Sequence, residues 1–266
     1  ISRPFGLFTF TAQNVLFTGF MISVLLGFYI GQVQTRWRNF TIVMASLAVA
    51  VMSVLTGSRQ IIFLAFIILG LTFFSVLLAR PTVKNLKHAF GIFAFVALSA
   101  VLITFVFSDM FDAMNNRFEQ AALSEGSIWN RVYDEITPWT EALLTASFLG
   151  AGIGSGSSAL TRLLDLPYMV YGEGDLQRNV YELGLFLGIE MLSLRFYTSI
   201  WIVWLGIRLA RKKLPIAMPF AAFTCFNVLI GAITNSPLNA YLVWSALGLV
   251  LSVKEGRVRK DYRENT

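Results

Sequence analysis

One cysteine, Cys225, and one histidine, His88, are all that this 266-residue chain holds of the two residue types that build most metal and redox sites. A lone cysteine forms no disulfide framework and no CxxC site, and no base stands near it to make a thiol nucleophile. Charge is scarce too, at 14% of residues against roughly 25% in ordinary soluble domains. No lysine stands between Asp109 and Glu182. The glycine-rich run FLGAGIGSGSSAL lacks the Lys-Ser or Lys-Thr pair of a P-loop, which excludes a nucleotide site of that kind. The chain starts at Ile1 without a basic n-region and with a motif already under way, so it is expected to be a fragment or processed chain lacking earlier spans.

What the chain has in excess is apolar surface: 56% hydrophobic residues and a mean hydropathy of +0.67. A water-soluble core of this size cannot hide that much, whereas a bilayer accepts it in helices of about 20 apolar residues. The reading is all-α: a polytopic transmembrane bundle forming one membrane domain over 1–266. Apolar windows place about seven spans at 12–30, 40–55, 61–79, 90–107, 183–207, 217–233 and 239–253. All six lysines (Lys84, Lys87, Lys212, Lys213, Lys254 and Lys260) fall on one face under simple alternation, with Arg36 and Arg38, and that face is expected to be cytoplasmic. The segment 108–182 carries eleven acids against four arginines and is expected to be one large extracytoplasmic loop with amphipathic helices. The basic tail KEGRVRKDYR reads as an anchor at an anionic cytoplasmic leaflet rather than a nucleic-acid site.

Alternation brings three features to the outer face. The first is the TGSRQ turn between the second and third spans, which sets Arg59 at a membrane surface or in a cavity, because a lone arginine facing lipid is costly. The second is a helical pattern over 127–146, where Trp129, Val132, Ile136, Trp139 and Leu143 form one apolar stripe and Arg131, Asp134, Glu135 and Glu141 lie largely off it. It reads as an interfacial helix with its tryptophans in the headgroups, kinked or broken at Pro138, and Arg131 is placed to bind phosphate oxygens bidentately. The third is YGEGDLQRNVYELGLFLG, with Glu173, Asp175, Arg178 and Glu182 at the boundary of the fifth span: either a solvated helix start favoured by the dipole or a catalytic rim. Between the second and third features, the alternating glycines from Gly150 to Gly156 read as a flexible turn. Glu190 and Arg195, inside the fifth span, require mutual or interhelical partners. His88 falls on the opposite, basic face, so an outer histidine base is excluded.

Taken in order, RPFGLFTFTAQN, TGSR, the Arg131 helix followed by FLGAGIGSG, and RNVYELGLFLG resemble the bacterial O-antigen ligase and O-antigen polymerase superfamily over most of residues 1–190. The resemblance implies a glycosyltransferase of the bacterial inner membrane whose donor is an undecaprenyl-diphosphate-linked oligosaccharide. It implies no cofactor and no metal, partners limited to lipid and other polysaccharide-assembly proteins, and no nucleic acid. It also implies that Arg59 and Arg131 hold the donor's diphosphate. Ligases of the family carry a histidine before the ELG segment; GDLQRNVYELG has none, which puts polymerase ahead of ligase. Independently of any family, arginines stabilise a departing diphosphate without a metal, and Glu173, Asp175 and Glu182 are the candidate bases, with Arg178 joining the clamp or pairing with one of them. A different class stays open: a lipid-glycan transporter whose glycine-rich segment and Glu190/Arg195 pair belong to a discontinuous helix.

Overall fold

A computed structural model of the chain describes residues 11–31, 38–56, 58–79, 139–155, 174–234 and 236–265. Regular structure among them is helical throughout: α1 (Thr11–Gly31), α2 (Arg38–Thr56), α3 (Arg59–Ala79), α4 (Asp175–Arg211), a 3-10 turn at Pro215–Ala217, α5 (Met218–Ile230) and α6 (Pro237–Asn265), with a short helical stretch at 139–145. Apolar side chains leave water by helix formation because only the helix satisfies its own backbone groups without outside partners. Four of these helices, α1, α3, α4 and α6, are long and apolar enough to cross a membrane, while Phe40–Ser53 and Pro215–Ile230 are shorter apolar helices. The expected span at 90–107 and most of the 108–182 loop lie outside the described residues.

The core is built around the shortest of the apolar helices. Met218, Ala221, Ala222 and Phe223 of α5 are fully buried, and they meet Val15 of α1, Ile61, Leu64 and Ile68 of α3, Ile202 and Leu205 of α4, and Val243 and Ala246 of α6. Close approach depends on a small residue: a Cβ on Gly206 would stand 2.6 Å from Met218 Sδ and 3.1 Å from Ala221 Cβ. Ser23 Oγ of α1 donates to the Pro219 carbonyl of α5 at 3.1 Å, a polar tie between helices. The outer surface is the reverse of a soluble protein's. Phe40, Val43, Met44 and Leu47 form an exposed stripe on α2, and Phe66 and Ile200 are 68% and 69% exposed, as lipid-facing side chains are.

Antiparallel packing collects the starts of α1, α4 and α6 and the end of α5 at one end of the bundle, and the two-residue link from α2 puts the start of α3 there too. The basic residues Arg208, Arg211, Lys212 and Lys213 lie at the other end.

The fifth span differs from its expected form. α4 runs from Asp175, well before the expected start at 183, and it is interrupted at Gly184, whose φ of 80° and ψ of 178° are non-helical. The two arms, 175–183 and 185–211, fold back on each other. A Cβ on Gly188 would lie 3.1 Å from Val180 Cα, a pair that a continuous helix would hold about 12 Å apart. Leu176 and Leu192 join Val180 in the same buried cluster. Helical periodicity is identical in both arms, so the apolar pattern alone does not reveal the reversal.

Replacing Gly206 with leucine is expected to wedge α4 from α5 and cost about 1–3 kcal/mol, read as a lowered thermal midpoint in detergent. Gly248→Leu on α6, where nothing lies within 4 Å of the added carbon, is expected to leave the midpoint unchanged.

Candidate functional site

α5 has 13 residues, about 20 Å at 1.5 Å each, and ends among buried residues, with Val228 2% exposed and Gly231 buried after it. Its last carbonyls therefore need donors. Arg195, on the second arm of α4, supplies them: Nε donates to Val228 O at 2.7 Å and one terminal amino group to Gly231 O at 2.5 Å. The other terminal amino group meets Asp175 Oδ2 at 2.8 Å, in a pair whose side chains are 3% and 0% exposed. Thr234 completes the carboxylate's shell, its hydroxyl donating to Asp175 Oδ1 at 2.6 Å and its amide approaching Oδ2 at 3.5 Å. Arg195 is thus paired, as its depth demands, but with Asp175 twenty residues earlier on α4 rather than with Glu190, which is exposed. In an unbroken helix those residues would stand about 30 Å apart; the reversal at Gly184 brings them together.

The glycine-rich segment closes the same reversal from outside. After a short helix in which Trp139 and Leu143 pack on the Leu176, Val180 and Leu192 cluster, the chain reaches Gly150 with φ of 77°. A Cβ on Gly150 would collide with the backbone of Glu182 to Gly184, and one on Gly184 with the backbone of Phe148 to Gly150. The bare backbones touch and exchange hydrogen bonds: Ala151 N to Tyr181 O at 2.9 Å, Gly152 N to Glu182 O at 3.0 Å and Leu185 N to Ser147 O at 3.0 Å. FLGAGIG is therefore a docked element here, in place of the expected flexible turn. The apolar stripe of the loop helix, in its described part, faces protein.

Glu182 sits in this junction. Gly154 N donates to its Oε2 at 2.9 Å, and Arg178 Nε meets Oε1 at 2.5 Å. Arg178 spends its Nε–H on that pair, and its side chain keeps 19% exposure. Of the residues expected to carry chemistry, the structure joins Arg178 with Glu182 and sets Asp175 deeper, against Arg195. Arg59 opens α3, but its side chain, like Arg131 and Glu173, lies outside what is described. Reading the sequence missed Thr234, Asn179 and the α5 carbonyls as parts of the polar cluster; the signal available was Arg195 itself, which requires more acceptors than one carboxylate provides.

Among the described residues no three His, Cys, Asp or Glu side chains are grouped to hold a metal ion. No family model matches the chain, and no curated protein or solved structure matches it either.

Arg195→Met leaves a buried carboxylate and two uncapped carbonyls, and is expected to cost about 3–5 kcal/mol in denaturant unfolding; adding Asp175→Asn is expected to recover part of that loss. Gly184→Ala puts a side chain into backbone geometry that only glycine adopts readily. Hydrogen exchange at the amides of Ala151, Gly152 and Leu185 is expected to lose its protection in that variant, whereas it persists in Gly248→Ala.

Proposed function

We propose that this chain is a metal-independent membrane glycosyltransferase that joins undecaprenyl-diphosphate-linked oligosaccharide units into O-antigen or exopolysaccharide. It would work on the outer face of the bacterial cytoplasmic membrane, with the Glu182 end extracytoplasmic and the C-terminus cytoplasmic. One observation carries the reading: parts of two of the motifs behind the resemblance, FLGAGIGS and RNVYELGLFLG, form one folded unit through the Gly150 and Gly184 contact. That unit holds Arg178 and Glu182 at the end of the bundle where α3 begins with Arg59.

In this reading an acceptor hydroxyl attacks the anomeric carbon of the donor. The bond from that carbon to the diphosphate oxygen breaks, its electron pair leaves on the diphosphate, and the hydroxyl proton passes to a carboxylate. Glu182, 7% exposed with Arg178 and the Gly154 amide on its oxygens, lies nearer the tip than Asp175 and would receive it once Arg178 turns to the diphosphate. Asp175 is closed off by Arg195 and Thr234, and a base must reach within about 3 Å of the hydroxyl. Arg59 and Arg131, joined by Arg178, stabilise the charge that develops on the leaving group in this reading. Glu173 stays a candidate base.

A transporter is the second reading, favoured by the break in α4 at Gly184, since discontinuous helices line many transport sites. Against it, the backbone groups freed at this break are met: the Leu185 amide donates to the Ser147 carbonyl, and the Tyr181 and Glu182 carbonyls accept from the Ala151 and Gly152 amides, which suits a fixed frame.

In a strain lacking the gene, Arg131→Ala and Glu182→Gln copies present at normal membrane abundance are expected to accumulate single repeat units, with polymer reduced about 100-fold or more. Long polymer retained on its lipid carrier would establish a ligase. Normal polymer with both variants would sink the enzyme reading.

A further inference from the structure

Between α4 and α5, on the outer surface of the bundle, runs a groove of about 360 Å³ lined by Phe196, Ile200, Trp204 and Ile207 of α4 and by Cys225 and Leu229 of α5. Its one hydroxyl, Ser199, is turned to the Cys225 carbonyl at 3.3 Å, so the groove presents an apolar wall. Trp139 meets Phe196 at the upper end, ring centroids 6.5 Å apart. At the lower end the Arg208 guanidinium lies over the Trp204 ring, 5.2 Å from its centroid. Arg211 follows one turn later on the same helical stripe, and both arginines are exposed.

Two features make this more than a lipid-facing surface. The first is length. From Phe196 to Ile207 the groove follows about 16 Å of helix, close to the roughly 15 Å of hydrocarbon in one leaflet. The second is charge. No Asp or Glu stands between Glu190 and Glu255, so the stretch of α4 that carries Arg208 and Arg211 holds basic residues and no carboxylate, and α5 after it holds no carboxylate either. Stacking on Trp204 holds one of these cations at the groove's mouth.

We propose that this groove is a binding site for an anionic phospholipid in the leaflet at the basic end of the bundle, with one acyl chain along α4 and the headgroup phosphate on Arg208 and Arg211. The occupant must be anionic because the apolar wall accepts any acyl chain, and only the cationic mouth distinguishes headgroups. The site lies away from Glu182 and stands independently of the glycosyltransferase reading.

Phosphatidylglycerol and phosphatidylcholine with identical acyl chains serve as probes. Native mass spectrometry of the unmodified protein, released from micelles holding equal amounts of both, is expected to retain phosphatidylglycerol at least about fivefold over phosphatidylcholine, and Arg208→Gln/Arg211→Gln is expected to abolish that preference. In vesicles, brominated phosphatidylglycerol is expected to quench a protein retaining only Trp204 (Trp37, Trp129, Trp139, Trp201 and Trp244 replaced by Phe) more than brominated phosphatidylcholine does. Equal retention of the two lipids by the unmodified protein, or a preference that survives both arginine changes, would overturn the proposal. So would a Trp204 quenched by neither lipid, which would mean that a second copy or another span of the chain covers the groove.

Discussion

The carbonyls at the end of α5 impose the constraint on which the other features rest. A helix that ends among buried residues leaves acceptors withdrawn from water, and each unmet acceptor costs on the order of 1–3 kcal/mol. Arg195 meets two of them but brings a charge, which Asp175 neutralises. Asp175 can stand there only because α4 reverses at Gly184, and the reversal is occupied only because Gly150 lets a second backbone approach without a Cβ. A short helix, a buried ion pair and two glycines far apart in the chain are thus consequences of one another. Such a pair adds little net stability over an apolar replacement. Its value is geometric, since a guanidinium with three fixed acceptors tolerates one arrangement of α4 against α5.

Asp175, Arg178, Asn179 and Glu182 share one face of the first arm of α4, at helical spacing, yet depth sorts them into different work. Nearest the centre, Asp175 is enclosed by Arg195 and Thr234. One and two turns nearer the tip, Arg178 and Glu182 face the docked glycine-rich segment, which contributes a backbone amide to the carboxylate. Sequence spacing alone left Asp175 and Glu182 as equivalent candidate bases. The reversal at Gly184 separates them, because it is what gives the arm a deep end and a shallow one.

How much was legible follows the same physics. Long uninterrupted apolar runs were readable, as in the 61–79 window against α3 (Arg59–Ala79), since bilayer-length helices have no competing conformation. The window 217–233 overran α5, because Ala232 and Ile233 are as apolar as the helix before them although Gly231 has already left it at ψ of 154°. Arg195's need for a partner was evident from its apolar surroundings, whereas the partner was hidden: Glu190 is nearer in sequence but faces outward. Gly184 escaped notice because a glycine at the start of a span is compatible with a helix, costing it only about 1 kcal/mol. Its meaning comes from Gly150, and no local pattern connects the two.

The junction also bears on how the 139–155 segment is fixed to α4. Around the two glycines, three hydrogen bonds run between backbone atoms, and another uses a backbone amide with the Glu182 side chain. Side chains add to it where Trp139 and Leu143 pack on the buried cluster and the Thr145 and Tyr181 hydroxyls meet at 2.9 Å. Leu149 and Ile153, 82% and 85% exposed beside it, are instances of positions on which the frame does not depend. The division leaves backbone to fix the geometry that holds the Glu182 carboxylate, and exposed side chains such as these to vary.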